Sequence, residues 1–230
     1  MSGDAETHEG RFQLSRLFTI TTVSSFLLLA ACGSDTTGPG EAGDWLPLTV
    51  NNSWITNTSG CFTETKGDTT GTWSGTFDVR ITDVVQHTGG FSVYKQRAFR
   101  SITTTTPDTS WTAVDTLYAY FQKTDEELRC YDDTTTLQYD VWLRFPVTLG
   151  DTWMKTDSSQ IELEVTSLSA TVTVPAGTFE NCIVVQETAP IGSGFSVTDH
   201  YYHRGVGQVQ NLFSMDGMSG IIKLDSYNIL

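Results

Sequence analysis

The sequence predicts an all-β protein: an antiparallel meander closing into a barrel, a half-barrel or a sandwich, with little helix outside the N-terminal segment. Three observations carry this reading. Short runs alternate apolar and polar residues, as in Asp78-Val79-Arg80-Ile81-Thr82, Ile161-Glu162-Leu163-Glu164-Val165 and Thr171-Val172-Thr173-Val174, the period-2 pattern of half-buried strands. Turn-forming residues separate the runs, at Thr88-Gly89-Gly90, Thr106-Pro107-Asp108, Lys123-Thr124-Asp125, Pro175-Ala176-Gly177 and Asp216-Gly217. Beyond the N-terminal segment, no window keeps an apolar i, i+3, i+4, i+7 stripe for three turns.

Taken in chain order, residues 1–31 read as a secretory signal peptide. Arg11 and Arg16 precede an apolar run over residues 17–31 that ends in small residues. The run is shorter than the ~20 residues a spanning helix needs. It closes in Leu29-Ala30-Ala31-Cys32-Gly33-Ser34, which resembles the lipobox of bacterial lipoproteins. That resemblance implies acylation of Cys32, which becomes the mature N-terminus after 31 residues are removed. Each buried CH₂ of an acyl chain contributes ~0.8 kcal/mol, so two or more chains hold a protein stably on a bilayer. Gly33 stands where inner-membrane lipoproteins carry Asp, and the resemblance therefore implies the outer membrane. Residues 32–44 are rich in Gly, Ser, Thr and Pro and read as a flexible tether. Residues 45–230 are then a single β-domain.

That domain contains an internal repeat. Leu46-Pro47-Leu48-Thr49-Val50-Asn51-Asn52-Ser53-Trp54 recurs 99 residues later as Phe145-Pro146-Val147-Thr148-Leu149-Gly150-Asp151-Thr152-Trp153. After each Trp come a long hairpin, an aromatic strand (residues 118–121 and 200–203) and a return strand (128–131 and 207–212). Two halves of about 45–144 and 145–230 are expected to form one domain. Each alone is short of core and leaves open strand edges.

Within the repeat, Val174-Pro175-Ala176-Gly177-Thr178-Phe179-Glu180-Asn181-Cys182 and Tyr201-Tyr202-His203-Arg204-Gly205-Val206-Gly207-Gln208-Val209 stand beside openings of the Pro-Leu-x-x-Gly-x-x-Trp kind, in the second half Pro146-Val147-Thr148-Leu149-Gly150-Asp151-Thr152-Trp153. Together these resemble a widespread class of bacterial secreted lipoproteins that has no agreed activity. The first half departs from the class pattern, with Asn51-Asn52 where Gly is usual. The resemblance implies an architecture and an address, and no reaction.

Composition narrows the functions. The 230 residues carry 13 Lys+Arg against 27 Asp+Glu, a net charge of −14, so no basic surface exists for nucleic acid. Cys61, Cys130 and Cys182 remain beside Cys32. Cys182 sits in an apolar run and reads as a buried thiol, while Cys61 and Cys130 are the candidate disulfide, worth ~4 kcal/mol in the chain-entropy account. His200 and His203 fall on opposite strand faces and read as rim residues. Asp125-Glu126-Glu127 and Asp132-Asp133 flank a turn without calcium-loop spacing. Neither a nucleophile elbow, a zincin motif, a P-loop nor a dinucleotide glycine motif occurs. No catalytic residue, metal site or cofactor is therefore expected. Trp54 and Trp153 read as twin core anchors, whereas Trp73 and Trp111, among Thr, Ser and Gly, read as exposed rings able to stack on a sugar or peptide.

The first functional reading is thus a lipid-anchored, non-enzymatic envelope domain with a binding or structural role. Its expected partners are the membrane, through the N-terminal lipid, and a glycan, peptide or lipid ligand. A tethered carrier or acceptor of an apolar ligand is the second reading, and a hydrolase of envelope polymers the third.

Overall fold

The computed structural model describes residues 44–63, 69–156, 159–192 and 194–230. The signal segment, Cys32 and the tether up to residue 43 lie outside them. Among the described residues there is no helix. Twelve strands form in order: β1 (Ser53–Thr63), β2 (Thr70–Gln86), β3 (Ser92–Thr105), β4 (Ser110–Lys123), β5 (Glu127–Tyr131), β6 (Asp140–Arg144), β7 (Thr152–Met154), β8 (Glu162–Val174), β9 (Gly177–Ile191), β10 (Gly194–His203), β11 (Gly207–Met215) and β12 (Met218–Asn228). They make one sheet, in which chain neighbours pair antiparallel and β12 returns to pair with β1 from Ser53↔Asn228 to Phe62↔Met218. Only β6 and β7 have no ladder between them, so the sheet is a nearly closed barrel with one seam. Of the three architectures that alternation allows, the return of β12 to β1 selects this one.

The pleat sends alternate side chains inward. On β2 these are Trp73, Phe77, Val79 and Ile81, all buried, and they join Trp54, Phe121, Leu143, Trp153, Leu163, Val185 and Leu224 in a single core. Asn57, Ser59, Thr72, Ser74, Asp78 and Arg80 alternate with them on β1 and β2. This pattern, apolar inside and polar outside, is the reverse of a transmembrane barrel. Ahead of β1, Trp45, Leu46 and Leu48 are buried in the same core. Their segment is tied down where Gly205 N–H donates to the Asp44 carbonyl (2.8 Å) and Lys123 pairs with the Asp44 carboxylate (3.0 Å).

Each sequence half supplies six consecutive strands, and Trp54 and Trp153 open β1 and β7 as buried anchors. The turns before them have the same geometry. Asn51 N–H donates to the Ile81 carbonyl (2.9 Å) and Ile81 N–H to the Asn52 carbonyl (3.0 Å). In the second half Gly150 N–H donates to Val165 (2.9 Å) and Val165 N–H to Asp151 (3.0 Å). Both turns need a left-handed residue, with φ of 77° at Asn51 and 83° at Gly150. Asparagine is the side chain that tolerates this conformation best, which explains its presence where the second turn has glycine. Asn51→Gly is therefore expected to leave stability within a few tenths of a kcal/mol, whereas Asn51→Val costs about 1–2 kcal/mol. Urea unfolding of the two variants measures the difference.

Strand lengths are uneven, and this shapes the barrel wall. β4 has 14 residues and β8 has 13, but β5, β6 and β7 between them have 5, 5 and 3. β5 pairs with β4 only from Tyr120 to Lys123. From Ser110 to Ala119, β4 has β3 on one side and, among the described residues, no strand on the other.

The expected Cys61–Cys130 disulfide is not formed: Cys61, Cys130 and Cys182 are all free thiols. Cys61 lies on β1 and Cys130 on β5, with β2, β3 and β4 between them. At ~4.8 Å per strand the two are roughly 19 Å apart in the sheet direction alone, well beyond the ~7 Å Cα limit of a disulfide.

Candidate functional site

The buried titratable groups collect beside the seam. Lys155 follows β7 directly, and its backbone bridges the gap in the ladder: Val141 N–H, on β6, donates to the Lys155 carbonyl (2.7 Å). Trp153 Nε1–H, two residues earlier, donates to the Val141 carbonyl (3.0 Å). The Lys155 side chain turns inward and is 1% exposed. Its ammonium donates to Glu187 Oε2 on β9 (2.8 Å), lies 4.0 Å from Asp140 on β6, and sits over the Trp142 ring (5.3 Å). His200, on β10, brings Nε2 to 3.5 Å from the same Glu187 oxygen. Gln208, on β11, donates from Nε2 to His200 Nδ1 (2.9 Å). That bond makes Nδ1 an acceptor and puts the imidazole proton on Nε2, toward Glu187.

The electrostatics follow from this placement. Burial pushes the Glu187 carboxyl upward, but the Lys155 charge and the His200 hydrogen bond outweigh it and leave the group at about 2. Asp140 is raised, chiefly by burial, against the pull of Lys155. Cys130, opposite Asp140 in the β5–β6 ladder, is pushed well above the ordinary thiol range by burial and by that carboxylate. It is thus a protonated thiol and a poor nucleophile. The cluster holds two carboxylates, one ammonium and one oriented imidazole, each facing another, and together they join the seam to β9, β10 and β11.

Lys155 and Glu187 were not singled out by sequence reasoning. A signal existed for Glu187, which shares the inward parity of Ile183 and Val185 on a run that is otherwise apolar on that face. Lys155 carried none, because it lies just past a strand of three residues.

The residues that were singled out lie elsewhere. His200 is 2% exposed, so it belongs to the interior and not to the rim. The reason is that β10 turns His200 and Tyr202 to the same face, which is the barrel's inside. His203 lies against the Phe179 ring (5.2 Å), and burial lowers its basicity. His87 is buried, stacked on Phe91 (4.5 Å), and anchors the β2–β3 turn by accepting Gly89 N–H at Nδ1 (3.0 Å). Asp133 accepts from Thr135 and Thr136, which holds its carboxyl well below the usual range and makes it a turn residue. Glu127 pairs with Arg129 (2.9 Å) and Arg144 (3.6 Å). Among the described residues, no three His, Cys, Asp or Glu come together as a metal site.

Of the two tryptophans expected to be exposed, Trp73 is 3% exposed and is corrected to a core residue. It stacks on Phe213 (5.8 Å between centroids, 22° between planes), and the two rings lie over Gly60 and Gly220. Its polar sequence neighbours are outward residues or small residues that make room for the ring. Trp111 is 43% exposed, at the free end of β4. On the outer face of β1, β12, β11 and β10, a groove of about 430 Å³ is lined by Ser59, Cys61, Ser214 and Ser219, flanked by Leu212 and Ile221.

No family model matches the chain, and no curated protein sequence does. Among solved structures, it is similar to a candidate lipoprotein from Parabacteroides distasonis, at 13% identity and a TM-score of 0.44, over 80% of this chain and 98% of that one. It is also similar to a candidate exported protein with a YmcC-like fold from Bacteroides fragilis, at 12% identity and a TM-score of 0.39, over 79% and 98% of the two chains.

Proposed function

We propose that the chain is an envelope lipoprotein, anchored through acylated Cys32 to the outer membrane, whose β-barrel has a non-enzymatic binding or structural role. One observation carries the second half of this reading: the charged groups of the buried cluster are engaged with one another in closing the seam. A hydrolase needs a base that can reach substrate, but His200 is 2% and Glu187 7% exposed, and the neighbouring thiol is protonated. The carrier reading fits less well. An apolar cargo needs apolar walls, and the inward faces here carry Lys155, Glu187, His200, Gln208 and Asn211, all buried. Binding then falls to the outside, where Phe99, Val114 and Tyr118 are each more than two-fifths exposed on β3 and β4.

The anchor is tested in the native envelope. Wild-type protein is expected in the membrane fraction after a salt wash, with acyl mass on the peptide that begins at Cys32. Cys32→Ala is expected to lose both. Retention of the variant on membranes defeats the anchor. Hydrolysis of an envelope polymer by the extracted protein, abolished by His200→Ala, defeats the non-enzymatic role.

A further inference from the structure

The free edge of β4 has a feature that the anchor and the seam do not explain: it is complementary to itself. Thr106 N–H donates to the Thr109 carbonyl at the β3–β4 turn (2.8 Å). Hydrogen-bonded pairs alternate along an antiparallel ladder, and the β3–β4 register runs without a bulge from Thr105↔Ser110 to Tyr94↔Phe121. Odd-numbered β4 residues therefore bond to β3. Ser110, Thr112, Val114, Thr116 and Tyr118 point their N–H and C=O groups away from it. The Thr124–Glu127 bond across the β4–β5 turn (2.9 Å) gives the same parity from the other end. Among the described residues no strand covers these five, because β5 begins to pair only at Tyr120.

We propose that a second copy of this chain pairs there, β4 against β4, antiparallel about a twofold axis through Val114. The free stretch runs from Ser110, at the hairpin turn, to Tyr118, next to the end of β5, and Val114 is its midpoint. In this register Ser110 faces Tyr118, Thr112 faces Thr116 and Val114 faces itself. All five residues of both copies then complete both backbone hydrogen bonds, which a register shifted either way does not achieve. The side chains agree on both faces of the sheet. Outside, Val114 (57% exposed) meets its counterpart and Tyr118 (51%) is covered. Inside, Trp111 (43%) meets Leu117. The contact is isologous, as a closed dimer requires.

Charge favours the same occupant. The chain as a whole carries −14, which keeps two copies apart over most of their surface. The β3–β4 hairpin is the exception, with Lys95, Arg97, Arg100 and Lys123 against Asp108 and Asp115, a balance of +2. Asp115, the one acid on the free stretch, is held by Arg100 in a two-pronged ion pair. Lys95 lies in the ladder row of Tyr120, with its ammonium 4.7 Å from the Tyr118 ring centroid. The free stretch from Ser110 to Tyr118 carries no proline, lysine or bulge, features that protect edges meant to stay single.

Cross-linking of the full chain in its own envelope tests the axis. Val114→Cys sits across from itself at ~5.5 Å between Cα atoms, within disulfide range. It is expected to run at twice the monomer mass on a non-reducing gel, while wild type and Thr112→Cys remain monomeric. Thr112→Cys mixed with Thr116→Cys should cross-link again. Val114→Pro keeps every β3–β4 hydrogen bond, since the lost N–H faces the edge, a position where strands accept proline. It is expected to halve the mass of the detergent-extracted protein without changing its far-UV circular dichroism. A monomeric Val114→Cys, equal cross-linking at residue 112, an adduct with a different protein, or an unchanged mass in Val114→Pro would each overturn the proposal.

Discussion

Lys155→Met is expected to destabilise the domain by about 3–5 kcal/mol, the cost of leaving one partner of a buried ion pair uncompensated. Glu187 would keep His200 at 3.5 Å but lose the cation at 2.8 Å, in a site where water cannot replace it. The double variant Lys155→Met/Glu187→Leu removes both charges and fills the space with apolar atoms. It is expected to recover most of the loss, because replacing a whole buried pair is close to neutral. Equilibrium urea unfolding at pH 7 measures both. A single variant within about 1 kcal/mol of wild type would show that the pair does not hold the seam. The pH dependence has a definite sign. The Glu187 carboxyl titrates at about 2 in the folded protein against an ordinary 4.5, so it binds its proton more readily when unfolded. Its contribution is complete above about 4.5 and is lost as pH falls from there to about 2, an amount of about 3 kcal/mol for one group. In Lys155→Met this acid-side slope should flatten, since the carboxyl no longer has a reason to stay ionised.

Trp73→Ala is expected to cost about 3–5 kcal/mol, the usual range for removing a large buried ring. The ring sits in a space the sheet leaves open for it. A Cβ on Gly60 would lie 2.0 Å from Trp73 and 2.3 Å from the Ser219 carbonyl, and one on Gly220 would lie 2.5 Å from both Trp73 and Phe213. Two strands thus give up side chains so that two aromatics on the flanking strands can cover them. Without the indole, the paired glycines of β1 and β12 lose their cover, and Phe213 loses its stacking partner. Gly220→Ala should also destabilise, and part of that loss should return when Phe213→Leu is added, because the obstructing atoms are side-chain atoms. Thermal unfolding of the four proteins separates these outcomes. A Trp73→Ala protein that melts with wild type would return Trp73 to the exposed surface that its sequence neighbours suggested.

The elements most legible in the sequence were those with a local cause. The turn chemistry before Trp54 and Trp153 appears as two matched hydrogen-bond sets because the left-handed residue, the following acceptor and the anchoring tryptophan are all neighbours in the chain. Strand alternation was equally visible, since the pleat imposes a period of two wherever one face is buried. The candidate site was less legible. Lys155, Glu187, His200 and Gln208 belong to a linker and three strands, and nothing short-range marks them as partners. The disulfide expectation failed for the same reason. Two thiols on similar Thr-rich strands look equivalent along the chain, yet three strands stand between them. Trp73 misled because polar neighbours were taken as a polar site, when Gly60 and Gly220, distant in sequence, were reserving space for its ring.

By itself the sequence determined that this chain is all-β and that one Pro-to-Trp stretch recurs 99 residues on, and its N-terminal segment reads as a lipoprotein address. Those properties depend on residue order over a few positions: parity, turn geometry, and a cysteine after an apolar stretch. Only the tertiary structure decided that the sheet closes β12 onto β1 and stops short between β6 and β7. It also decided that Lys155 bridges that gap to Val141 while its ammonium is held by Glu187, and that half of β4 is left open. Closure, seam and open edge are set by how strands of unequal length meet after the chain has come around. At the closure, the meeting of residues 156 to 175 positions apart leaves no periodic trace in either partner.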